Sequence, residues 1–207
     1  MGWCQPALAH VPVLDSPDSS LQSPLVLTRP YDRSIAIYTQ FSDTRDVDVY
    51  TFEIDPSDLK DGPVAILIGT LVPACEPLRE LLIDWVLLGP PVAQPHKQMM
   101  RIAHDTVEID RRQVIHQVNN VQQGPVWHEP YSRHYYFRQQ RIQLKLQEPG
   151  PYQILVWSNN QQAGDYVFEF GDFEKWNFRD VLYTAWVMPR LWLEAEIVTP
   201  NCETKAL

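Results

Sequence analysis

The chain is predicted to be all-β with a short C-terminal amphipathic helix, on three observations. Its 18 Pro are spread over 207 residues together with seven Trp, nine Tyr and seven Phe, a composition suited to short strands between punctuated turns. Several segments alternate apolar and polar residues at period two, most clearly Gly150–Phe170, where Tyr152, Ile154 and Val156 share one face and Tyr166, Phe168 and Phe170 another. One stretch near the C-terminus instead repeats at helical spacing, through Phe178, Val181, Leu182, Ala185 and Trp186. A chain of this length buries a real core as one domain.

Residues 1–9 contain Ala7-Leu8-Ala9, the small-x-small form of a signal-peptidase site, without the charged and apolar regions that normally precede it. The segment reads as the remnant of a signal peptide, and the protein as exported to a periplasm, lumen or extracellular space. Residues 10–33 are rich in Pro and Ser and form an extended arm along a sheet edge, with Val11, Val13 and Leu25 to Leu27 over the core. The sandwich itself spans 34–175. Ser34 to Tyr38 opens a strand that Ser42 to Arg45 ends, Asp46 to Ile54 is the next, and Val64 to Val72 is apolar on both faces and therefore buried. Leu78 to Leu88 fits either period and is taken as strand, while about 89–126 forms an insert that leaves the sandwich. Arg141 to Leu146 alternates strictly, as a half-exposed strand does. Gly150–Phe170 then reads as a hairpin turning at Ser158 to Gly164. In 176–207, a helix and tail, Asn177 and Asp180 can cap the helix and Pro189 stops it.

A formal charge of −9 and a pI near 5.0 exclude a general phosphate-backbone binder, which needs a basic footprint. No apolar run is long enough for a transmembrane helix. Cys4, Cys75 and Cys202 form no C-x-x-C pair, so no zinc or redox motif is spelled out, and a single disulfide is compatible with them. No G-x-S-x-G is present and Cys75 lies in no nucleophile motif, so the chain is read as non-catalytic.

Two stretches together resemble a known family. D-V-D-V-Y-T-F-E-I at 46–54 is similar to the D-x-D-x-Y-x-F strand of the bacterial pre-peptidase C-terminal domain, and G-P-Y-Q-I-L-V followed by A-G-D-Y-V-F-E-F is similar to its closing G-x-Y-x-L-x-V…G-x-Y-x-L pair. The resemblance covers about 34–170 and implies an antiparallel jelly-roll sandwich. It also implies a non-catalytic appendage of exported enzymes, some members of which bind calcium or extracellular polymers. The insert at 89–126 and the aromatic segment at 127–136 exceed the minimal domain, as in free-standing, export-associated relatives of unknown function.

Asp46 and Asp48 sit two apart on a strand and share a face, so they could contribute to a calcium site, although the favoured reading is that they bond turn amides at the strand entry. His10 would become the N-terminus after cleavage at Ala9, and its amine and imidazole could chelate copper with a second histidine; the other histidines show no ligand spacing. Trp127, His128, Glu129, Tyr131, Arg133 and His134 could line a polar-aromatic cleft for a polysaccharide or peptide, against the blander reading of an ordinary strand. Trp186 and Trp192, beside Arg179 and Arg190, suit a membrane interface or partner groove, against packing of the helix over an open end of the sandwich. The resulting expectation is a binding module for a polymer, protein or membrane-associated partner, with no required cofactor. A metal-binding protein, holding calcium at Asp46 and Asp48 or copper at His10, is the alternative.

Overall fold

Alternating apolar positions decide which way each strand faces, and here many strands are apolar on both sides because each sheet is covered twice. The computed structural model describes residues 10–15, 19–90, 98–119, 121–129, 132–173 and 176–192, with the side chains of 112 and 192 excepted. In chain order the strands are β1 (Val11–Leu14), β2 (Leu25–Val26), β3 (Ile35–Phe41), β4 (Val47–Ile54), β5 (Val64–Pro73), β6 (Ile83–Leu88), β7 (Met99–Ile102), β8 (Val107–Asp110), β9 (Val114–Val118), β10 (Val126–His128), β11 (Tyr135–Leu146), β12 (Gly150–Ser158) and β13 (Gly164–Phe170). Helix α1 (Phe178–Trp192) follows.

A six-stranded sheet in the order β1-β3-β13-β5-β11-β10 faces a five-stranded sheet in the order β2-β4-β12-β6-β9. The fold is an all-β sandwich with one C-terminal helix. Strand pairs are antiparallel except β1 with β3 and β2 with β4, so the N-terminal arm adds one parallel edge strand to each sheet. Between the sheets, Tyr50, Phe52 and Ile54 of β4 and Tyr152, Ile154 and Val156 of β12 meet Ile35 and Ile37 of β3 and Tyr166, Phe168 and Phe170 of β13. Rings stack there: Tyr50 on Phe168 with centroids 4.6 Å apart and Phe41 on Tyr166 at 4.5 Å, separations at which aromatic pairs add to the area they bury.

The Gly150–Phe170 segment departs from the hairpin expected of it. Its two strands lie in different sheets, β12 between β4 and β6, and β13 between β3 and β5. Both apolar stripes do face one core, but from opposite sides, so the segment is an arch across the sandwich. Period two reports which face is buried and says nothing of the partner strand. The arch is held by side chains that satisfy carbonyls of the 77–82 region: Gln162 Nε2 donates to the Pro77 carbonyl and Asn160 Nδ2 to that of Glu80, both at 2.6 Å. The Leu78 to Leu88 region is strand only in its second half, since Glu76–Leu78 forms a 3₁₀ turn before β6.

Two further layers cover the outer faces. What is described of residues 89–126 is part of the fold: β7 and β8 form a hairpin over the five-stranded sheet, packing Ile102, Val107 and Ile109 on Val49, Val86, Leu155 and Trp157, and β9 extends that sheet. On the six-stranded sheet, Val187, Met188 and Leu191 of α1 pack on Ala36, Tyr38, Leu71, Tyr136 and Val167. Helix and hairpin therefore occupy opposite outer faces.

Candidate functional site

Helix α1 begins with reciprocal capping: Asn177 Oδ1 accepts from the Asp180 N–H at 3.0 Å, and Asp180 Oδ2 accepts from the Asn177 N–H at 2.9 Å, which satisfies two amides that a helix start leaves without partners. The same carboxylate receives Arg33 Nη1 at 3.1 Å. Pro189, expected to stop the helix, lies inside it. Its missing N–H costs the Ala185 carbonyl an acceptor role, which is tolerable because Ala185 is exposed to water.

The helix is apolar on two sides, and the side singled out by periodicity is not the one that meets the sheet. Thr184, Val187, Met188 and Leu191 are buried, whereas Phe178, Val181, Leu182, Tyr183 and Trp186 are exposed, Phe178 at 76% and Trp186 at 54%. The helix thus packs on the sandwich, on the outer face of the six-stranded sheet and not over an open end, and does so through Val187, Met188 and Leu191. Spacing finds apolar stripes but cannot rank two of them; the polar tethers orient the helix. These are Arg33 to Asp180, the Tyr183 hydroxyl accepting from the Leu14 N–H at 3.5 Å, and His134 Nε2 within 3.2 Å of the Leu191 carbonyl. On the exposed side the Arg190 guanidinium lies 3.5 Å from the Trp186 ring centroid, a cation–π contact.

What is described of the aromatic segment at 127–136, residues 127–129 and 132–136, lies beside the C-terminal end of this helix, with β10 at the edge of the sheet. Trp127 and His128 belong to β10, opposite Tyr136 and Tyr135 of β11. Arg138 stacks over Trp127 at 4.3 Å from the ring centroid, and His128 leans on Tyr135. Glu129 and His134 are buried: the Glu129 carboxylate accepts from the Ser132 N–H, and the Glu129 N–H donates to the His134 carbonyl at 2.9 Å. Arg133 is exposed with φ of 63°, and Ser132 accepts from the Tyr136 hydroxyl at 3.3 Å. Burial, with the Tyr136 and Glu129 charges adding to it, pushes the Tyr38 hydroxyl far above its ordinary range. Tyr131 and the side chain of Trp192 lie outside the described residues. The two surfaces inferred from sequence are thus joined, through the His134 ring and the Leu191 carbonyl.

The aspartates Asp46 and Asp48 have different surroundings. Asp46 precedes β4 and accepts from the Ser42 N–H at 2.6 Å and its hydroxyl at 2.7 Å. Asp48 is fully buried between the sheets, where it accepts from the Tyr166 hydroxyl and from Thr39 at 3.4 Å, while Tyr50 and Tyr166 hydroxyls lie 3.2 Å apart. Among the described residues no group of three or more His, Cys, Asp or Glu is placed to hold a metal ion.

His10 is buried at the edge of the six-stranded sheet, with Nδ1 against the Ser34 hydroxyl and Nε2 3.3 Å from Glu169 Oε1. Sequence reasoning missed Glu169, a fully buried carboxylate whose signal was one acid in the apolar run Val167 to Phe170. It lies over Gly69 of the neighbouring strand, where a Cβ would collide with Oε2. Burial raises its pKa, but the His10 contact together with Arg141 and Arg138 outweighs that, and the carboxyl ends below its ordinary value. Ser34, His10 and Glu169 have the residue types of a hydrolytic triad. All three are buried, where they fasten the chain entering β1 to β3 and β13.

No known family's sequence pattern matches the chain, and no curated protein matches it. Among solved structures it is similar to the pre-peptidase C-terminal domain of a collagenase from Bacillus anthracis, at 15% identity over 78% of this chain and 96% of that one, with a TM-score of 0.35. It is also similar to CorA, a surface-associated copper-binding protein important in copper acquisition by Methylomicrobium album BG8, at 7% identity over 74% and 98% of the two chains, with a TM-score of 0.37. TM-scores this low describe loose overlap, and the sandwich described above rests on its own strand order.

Proposed function

We propose that the protein is a non-catalytic, exported binding module that meets its partner with the outward face of α1 and the adjoining edge strand β10. The observation that carries this reading is the exposed row Phe178, Val181, Leu182 and Trp186. Large exposed apolar patches on soluble domains mark interaction sites, and this one stands on a helix already fixed to the sandwich by polar tethers at both ends. The buried histidines and carboxylates near it have structural partners, which supports a binding role over catalysis. Cys75, at the end of β5, is disulfide-bonded, and a disulfide suits an oxidising compartment; Cys4 and Cys202 lie outside the described residues.

The reading is tested by sedimenting the full chain with the cell-envelope fraction of its source, beside a Phe178→Ser, Leu182→Ser, Trp186→Ser variant with wild-type thermal stability. Retention of the wild type and loss of the variant support α1 as the contact surface. Equal retention of both places the contact elsewhere and defeats the proposal.

A further inference from the structure

We infer that the partner of this helix is a phospholipid surface, on which α1 lies flat with Phe178, Val181, Leu182 and Trp186 in the headgroup and upper acyl region. The inference rests on the reading of α1 as the contact face and adds the chemistry of what it meets. Three features favour lipid. First, the row runs along the helix axis: Phe178 to Trp186 spans about 12 Å at the α-helical rise of ~1.5 Å per residue, so its side chains can enter one interface together. Second, Tyr183 and Trp186 are neighbouring rings, 5.9 Å apart at their centroids, and these amphipathic side chains suit the boundary between headgroups and acyl chains.

Third, the charges around the row match headgroup phosphates. The chain carries −9 overall, yet α1 has cations at both ends, Arg179 in its first turn and Arg190 in its last, and its one carboxylate, Asp180, is held by Arg33. A basic frame around an apolar stripe is what an interfacial helix presents. No helix among the described residues is long and apolar enough to cross a membrane, and in-plane seating requires no crossing.

The same features disfavour a second copy of this chain. Self-association through the row would bring together two bodies that each carry net negative charge, which repel.

The test floats full-length protein with vesicles of phosphatidylcholine alone and of phosphatidylcholine with phosphatidylglycerol, and measures self-association by sedimentation. The variants are the Ser triple substitution above and Trp186→Ser alone, each checked for wild-type melting. Expected is vesicle binding by the wild type that falls at least about tenfold in the triple variant, since three buried apolar side chains are lost, and less in the single variant. Vesicle binding unchanged in the triple variant overturns both this inference and the assignment of α1 as contact face. Absence of vesicle binding, with self-association that the triple variant abolishes, overturns lipid in favour of a second copy and leaves the α1 assignment standing. Absence of both, with envelope retention still lost in the variant, overturns lipid in favour of a protein or glycan partner.

Discussion

Arg33 and Asp180 meet where α1 docks on the sandwich, Arg33 Nη1 standing 3.1 and 3.2 Å from the two carboxylate oxygens, with both side chains mostly shielded from water. The pair fastens the first turn of the helix to the chain entering β3, 147 residues away in sequence. Asp180 also caps the helix, so its loss is predicted to cost more than that of Arg33. Asp180→Ala should destabilise by roughly 2–3 kcal/mol and Arg33→Ala by roughly 1–2 kcal/mol, the difference being the cap. Urea denaturation of both single variants and the double variant checks this; fully additive losses would show that the two side chains do not interact.

Glu169 predicts a defined acid sensitivity. Its folded pKa lies below the ordinary value of 4.5 because the His10 contact, Arg141 and Arg138 outweigh burial. A carboxyl depressed on folding contributes stability that is present above the unfolded pKa and lost as pH falls through the folded one. Unfolding free energy of the wild type should therefore drop as the pH is lowered below about 4.5, and the slope should be shallower in Glu169→Gln. Parallel profiles for the two proteins would remove Glu169 from the acid response.

Gly69 and Glu169 predict a non-additive pair. A Cβ at position 69 would collide with Glu169 Oε2 and press on Arg141 Cγ at 3.3 Å. Gly69→Ala should cost roughly 1–3 kcal/mol, an overpacking penalty, and much less in a Glu169→Ala background where the carboxylate is gone. Thermal unfolding of the four combinations measures the coupling, and equal costs in both backgrounds would place the strain elsewhere.

The acidic pair at Asp46 and Asp48 is predicted to be structural. Asp46 is engaged by Ser42, and Asp48 by Tyr166 and Thr39 inside the sandwich. Chelator and added calcium should each leave the melting temperature unchanged, whereas Tyr166→Phe should cost roughly 1–3 kcal/mol by removing a donor from a buried carboxylate. A chelator-induced fall in melting temperature would instead revive a calcium role for this end of β4.

How much of this was legible depended on what period and composition encode. Alternation identified β4, the second half of β11, β12 and β13, because a strand with one buried face must repeat at two whatever it pairs with, while β5 was legible as a run apolar on both faces. It could not reveal that β12 and β13 belong to different sheets, since a turn-rich link closes a hairpin and spans an arch equally well. The β7–β8 hairpin was illegible because its apolar residues, Ile102, Val107 and Ile109, are few and cover an outer face that sequence does not show to be apolar. At the candidate site the aromatic stretch and the helix were both visible as segments. Their union through His134 and Leu191 was not, because it depends on a side chain reaching a carbonyl 57 residues away. Glu169 stood in plain sight as one acid among apolar neighbours. The opposing Gly69 leaves room for it, and His10 and Arg141 face its carboxylate, neither of which spacing reveals.

The orientation of α1 gives the sharpest test, because the two apolar sides make opposite predictions. Leu191 is 2% exposed against the sheet, and Leu182 is 57% exposed. If the helix sits as described, Leu191→Ala opens a cavity beside Val187 and Met188 and should cost roughly 2–4 kcal/mol, while Leu182→Ser should change stability by less than about 0.5 kcal/mol. Thr184 supplies a third measurement: its hydroxyl is buried on the sheet side with no hydrogen-bond partner among the described residues. Thr184→Val exchanges that hydroxyl for a methyl of similar shape and should stabilise by roughly 1 kcal/mol. With the helix turned the other way, Leu182→Ser would be the damaging change and Leu191→Ala the silent one, so chemical denaturation of the three variants distinguishes the two arrangements directly.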